Sequence, residues 1–68
     1  MPFIQITIGE GHNERRKREL LAAVSRAAAE ATGTPETAFR VWIVEIPATE
    51  VMVGGTVLAD GQGPGGMP

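Results

Sequence analysis

Residues 39–46 read FRVWIVEI, and both faces of that stretch are apolar. Val41 and Ile43 fall on one side, Trp42, Val44 and Ile46 on the other, as the two-residue period of a strand requires. A strand that is apolar on both faces belongs inside a covered sheet. Working back along the chain, residues 3–8, FIQITI, form a second β-branched run, with Ile4, Ile6 and Ile8 on one face and Phe3, Gln5 and Thr7 on the other.

Between these strands the period changes to that of a helix. Leu20, Leu21, Val24, Ala27, Ala28 and Ala31 make one apolar stripe, large at its start and alanine-rich later. Asn13 is an N-cap type with Glu14 in the first turn, and Gly33 suits the position just past the end. Residues 34–36, Thr-Pro-Glu, predict a short turn with Pro35 at a first helical position. Strand, helix, strand gives an α+β chain built on a βαβ unit, with parallel strands expected. Beyond Pro47, Gly54-Gly55 sits between short apolar stretches and predicts a hairpin turn. Residues 1–60 are read as a single domain, and residues 61–68, rich in glycine and proline, as a flexible tail.

Composition limits what can hold this fold together. The chain has 68 residues, no cysteine and one histidine, His12. Disulfides and thiolate metal sites are excluded, and a histidine-based zinc site is not expected. A core this small offsets its ordering cost poorly, and oligomerisation is the remaining route. The second apolar face of residues 39–46 points the same way, because one helix covers one face only. The net charge of −2 gives no case for nucleic acid. No apolar run is long enough to span a bilayer and no signal peptide is seen, so a cytoplasmic protein without a membrane partner is expected. The basic run at residues 15–18, flanked by Glu14 and Glu19, reads as a solvated, salt-bridged turn.

Candidate chemistry rests on few residues. Gly9-Glu10-Gly11 lacks the rest of a nucleotide fingerprint, and His12 has no obvious triad partner. Pro2 has two readings. Proline is tolerated as the first residue of a strand. If Met1 is removed, Pro2 instead carries a secondary amine that apolar surroundings or a nearby cation would keep partly neutral, as a general base. Arg40 interrupts an apolar run; it pairs with Glu36 or Glu45, stays in solvent, or offers its fork to a carboxylate. His12 is either an idle loop residue or a substrate contact, and Trp42 is read as a core or subunit-contact residue.

The Met-Pro start, the FIQITI strand running into Glu10-Gly11, the helix beginning at Asn13, Arg40-Val41 through Glu45, and Gly54-Gly55 come in a specific order and spacing. With these features the chain resembles the tautomerase superfamily, in its short 4-oxalocrotonate tautomerase (2-hydroxymuconate tautomerase) branch, over positions 2 to about 58. The resemblance implies a βαβ unit with a C-terminal hairpin, paired into dimers and assembled as a homohexamer of three dimers. It implies an isomerase that needs no metal or organic cofactor and moves a proton in a small 2-hydroxydienoate or enol acid. It decides the reading of Pro2 in favour of the base. It makes Arg40, from a neighbouring subunit, the cation that binds the carboxylate and 2-oxo oxygen, and it lays the backbone of Ile8 and Gly9 along the site.

Two positions depart from the branch. His12 stands where dicarboxylate-specific members carry a second arginine, with Arg15 and Arg16 a turn away as alternatives. Val51 stands where they place a phenylalanine over the proline. Both departures favour a monocarboxylate enol over 4-oxalocrotonate itself. Competing readings are a hydratase or haloacrylate-dehalogenase relative, with Glu45 or Glu50 activating water, and a non-catalytic hexamer that binds a small acid.

Overall fold

The computed structural model describes residues 2–61. Its elements in chain order are β1 (Phe3–Gly9), α1 (Glu14–Thr32), a 3-10 turn at Glu36–Ala38, β2 (Arg40–Ile46), a second 3-10 turn at Ala48–Glu50, and the short strands β3 (Met52–Val53) and β4 (Thr56–Val57). β1 and β2 pair in parallel from Phe3↔Arg40 to Gly9↔Ile46, and β3 and β4 pair antiparallel. The βαβ unit with a C-terminal hairpin is therefore the fold. The expected tail, apart from Gly61, lies outside the described residues.

Local chemistry explains the boundaries. Asn13 Oδ1 accepts from the Arg16 N–H at 2.8 Å, occupying a donor that the helix leaves free at its start. Gly33 ends α1 in the left-handed region (φ 73°), its N–H donating to the Ala29 carbonyl at 2.9 Å. Gly54 and Gly55 both have positive φ (58° and 88°), the signature of a two-residue turn matched to strand twist.

Ile4, Ile6 and Ile8 alternate half-buried with exposed Phe3, Gln5 and Thr7, and the register sets Val41 and Ile43 beside Ile4 and Ile6. This is the helix-covered face. Lys17 Nζ reaches across it to Glu45 Oε1 at 3.0 Å. Three details differ from the sequence reading. The helix stripe turns so that Ser25 and Ala29 are half-buried while Ala27 and Ala31 are exposed. Alanine contributes too little area to fix which side of a helix is covered. β2 starts at Arg40 because Phe39 closes the preceding 3-10 turn, its N–H donating to the Glu36 carbonyl. Pro35 caps that turn in extended geometry rather than entering it.

Burial within one chain is slight. Phe39, at 8% exposure, is the one buried residue among those described. Phe3 is 65% exposed and Trp42 41%, although their rings meet edge to face at 6.3 Å. The second apolar face of the sheet is thus left largely bare. Among the described residues, no helix is long and apolar enough to cross a membrane.

Candidate active site

The parallel ladder separates the singled-out residues into two groups. Pro2 and Arg40 stand at its start, where the Arg40 N–H donates to the Pro2 carbonyl at 3.1 Å. Ile8 and Gly9 stand at its far end, where the Glu10 N–H donates to the Ile46 carbonyl at 3.2 Å. Six residues of strand at ~3.3 Å each put Pro2 and Ile8 about 20 Å apart, more than a small acid spans.

Arg40 is exposed on the bare face, in register with Phe3. Its Nη1 donates to the carbonyls of Thr37 (3.2 Å) and Phe39 (3.1 Å). No carboxylate lies within ion-pair distance of it among the described residues, since Glu45 is engaged by Lys17. The pairing of Arg40 with Glu36 or Glu45 is not what the fold makes. Its guanidinium is held by neutral oxygens and keeps its charge available to an anion.

Ile8, Gly9 and Val51 are brought together. With Thr7, Glu10, Ile46, Ala48 and Leu58 they line an open cavity of about 350 Å³, mostly apolar. The hairpin builds its far wall. The Leu58 N–H donates to the Val51 carbonyl at 2.7 Å, and the Ala59 N–H to the Ala48 carbonyl at 3.1 Å. Leu58 escapes a reading of the sequence, because only the fold-back at Gly54-Gly55 carries it to the strand ends, whereas Ala48 arrives through the 3-10 turn that directly follows β2. Glu50 is exposed and does not line this cavity.

His12 does not join that group. It lines a second cavity, of about 290 Å³, with Ile8, Arg16, Lys17, Glu19 and Leu20. Ile8 is common to both. Among the described residues no three of His, Cys, Asp and Glu cluster as metal ligands do.

This arrangement has known counterparts. The model of a family described as tautomerase enzymes matches residues 2–61, the whole of the described fold. The chain belongs to the tautomerase family. It is accordingly an isomerase. It is 49% identical over 47 residues to a 2-hydroxymuconate tautomerase of Pseudomonas putida, covering 69% of this tautomerase and 75% of that relative. A probable tautomerase of Bacillus cereus is 37% identical over 60 residues, 88% of this chain and 98% of the other. Among solved structures, a heterohexamer 4-oxalocrotonate tautomerase from Chloroflexus aurantiacus superposes with a TM-score of 0.84 at 40% identity. That superposition covers 88% of this tautomerase and 97% of the other chain.

Proposed function

We propose that this tautomerase interconverts the enol and keto forms of a small 2-hydroxydienoate or enol acid. The amine of Pro2, freed by removal of Met1, is the general base. It takes the proton of the 2-hydroxyl group. The O–H electrons form the carbonyl, the conjugated double bonds shift, and the protonated amine returns the proton to carbon. Atoms and charge balance without a metal or organic cofactor, because the substrate's own carbonyl carries the developing negative charge. The guanidinium of Arg40 binds the carboxylate and 2-oxo oxygen and stabilises that charge, as an oxyanion clamp does. The observation that carries this reading is an arginine bound only to backbone carbonyls, with no carboxylate partner among the described residues, so that its charge is open to a substrate anion.

The proposal includes an assembly. Pro2 and the apolar cavity of Ile8, Gly9 and Val51 lie too far apart within one chain to serve one small substrate, so each site draws on more than one copy. A homohexamer of three dimers meets that need, with Arg40 coming from a neighbouring copy. The bare sheet face around Trp42 supports an assembly, and the heterohexamer of the Chloroflexus relative supports six copies. In such a site Val51 and Ile8 exclude water from the base, which keeps the amine neutral. The hydratase reading gains no support, because Glu45 is tied to Lys17 and Glu50 lies outside the cavity.

The test is ultraviolet-monitored ketonisation of 2-hydroxymuconate and phenylenolpyruvate by wild type and Pro2→Ala. A fall in kcat/KM on the order of 10²–10⁴-fold, the usual contribution of a general base, is expected. Equal rates for the two proteins overturn the assignment.

A further inference from the structure

We propose that Gly9 is a specificity-determining residue, and that the space left by its missing side chain seats a broad, uncharged, apolar substituent of the enol acid, branched or ring-shaped. The inference deepens the keto–enol reading above and rests on it. It starts from a glycine that the fold does not require. Gly9 is the last residue of β1, paired with Ile46 and exposed. Its φ is not positive; among the described residues the positive values belong to Gly11, Gly33, Gly54 and Gly55. Any residue can adopt such a backbone. Packing does not call for glycine either, since a Cβ at this position would meet nothing but its own chain neighbours within 4 Å. A glycine with no special conformation weakens the strand that holds it. In strands it marks a place where a ligand or another backbone comes close.

The surroundings of Gly9 indicate a ligand, and of which kind. Together with Ile8, Ile46, Val51 and Leu58 it lines the open cavity of about 350 Å³. That size falls in the range of small-molecule pockets, about 300–1,000 Å³. Aliphatic walls of this kind favour burial of apolar surface. Glu10 is the one ionic side chain in the lining, and no cation joins it. The space therefore offers no partner to a second carboxylate. Alternation along β1 puts position 9 on the same side of the strand as Thr7, which also borders the cavity. A longer side chain there would grow into the space that Thr7 borders. Glycine keeps it open.

The other use of such a glycine, close approach of a second copy of the chain, predicts something different. A side chain at position 9 would then weaken the assembly, whatever the substrate. A seat for a substituent predicts instead that the assembly is kept and that selectivity between substrates changes.

Wild type, Gly9→Ala and Gly9→Leu are compared on two enol acids with one carboxylate each. One is 2-hydroxypentadienoate, with a slim vinyl substituent, and the other is phenylenolpyruvate, with a ring. Charge is constant and breadth varies. The ratio of kcat/KM for the ring over the vinyl substrate is expected to fall about 10–200-fold in Gly9→Leu, and by a smaller factor in Gly9→Ala. The fall is carried by KM, because the contact is made equally in the ground and transition states. Gly9→Ala is free of strain at this backbone and is expected to melt no lower than wild type. Both variants are expected to sediment as wild type does. An unchanged or higher ratio in Gly9→Leu, or a lower melting temperature of Gly9→Ala, overturns the proposal. A reduced assembled mass of Gly9→Leu overturns it as well, because the glycine then serves contact between copies. Wild type active only on the vinyl substrate overturns it while leaving the Pro2 reading intact. Wild type inactive on both overturns the two together.

Discussion

The Arg40 N–H donates to the Pro2 carbonyl at 3.1 Å, so the residue proposed as base and the residue proposed as clamp begin the same parallel ladder. That bond fixes the backbones and leaves the functional groups free. The Arg40 guanidinium rests on two carbonyls of its own turn, Thr37 and Phe39, and can exchange them for a substrate carboxylate without breaking an ion pair. A clamp held this way is preformed but not neutralised.

Arg40→Gln is accordingly expected to lower kcat/KM by about 10²–10³-fold, as loss of an oxyanion donor does. Thermal denaturation should show little change, because the side chain bonds only to exposed or partly buried carbonyls. Arg40→Lys keeps the charge but loses the fork, and should recover a minor part of the rate. A variant with wild-type kinetics contradicts the clamp.

Lys17 and Glu45 staple α1 to β2 through side chains that are about two-thirds covered. A double-mutant cycle with Lys17→Met and Glu45→Gln, read by urea denaturation, should give a coupling of about 0.5–1 kcal/mol. Glu45→Gln should keep its ketonisation rate. Selective loss of activity in Glu45→Gln, with stability unchanged, would favour the hydratase reading instead.

Gly55 sits at φ 88°, where a side chain is strained. Gly55→Ala should cost roughly 1–2 kcal/mol of stability. Because β4 carries Leu58 to the wall of the apolar cavity, KM should rise more than kcat falls. Unchanged melting and kinetics would show that this turn does not set the cavity.

Trp42 faces away from the helix beside Phe3, and an oligomer is expected to cover it. Trp42→Glu places a charge on that face and should reduce the assembled mass in sedimentation, and the proposed shared site predicts that activity is lost in parallel. A variant that sediments as wild type and remains active contradicts the shared site.

Much of this was legible in the chain itself. Alternating isoleucines at 4, 6 and 8, the Asn13 cap and the paired glycines each dictate local geometry through a short-range cause, and the fold follows them. The side of α1 that is covered was not legible past Val24, where the stripe is alanine and carries little preference. Nor was the pairing of Glu19, which takes Arg15 and leaves Arg16 beside His12. The grouping of Val51 and Leu58 with Gly9 was beyond reach as well, because the hairpin brings together residues from opposite ends of the chain. Pro2 is the extreme case. It stands just before β1 and gives its carbonyl to Arg40, and only the chemistry of its amine would set it apart.

That amine is the central claim, and it can be tested without altering a side chain. Two preparations are compared, one whose intact mass shows Pro2 as the first residue and one that retains Met1, matched in circular dichroism and sedimentation. Ketonisation of phenylenolpyruvate is predicted for the first, with a loss of at least 10²-fold in the second, where the proline nitrogen is an amide with no proton-accepting lone pair. Equal rates in both would contradict the account.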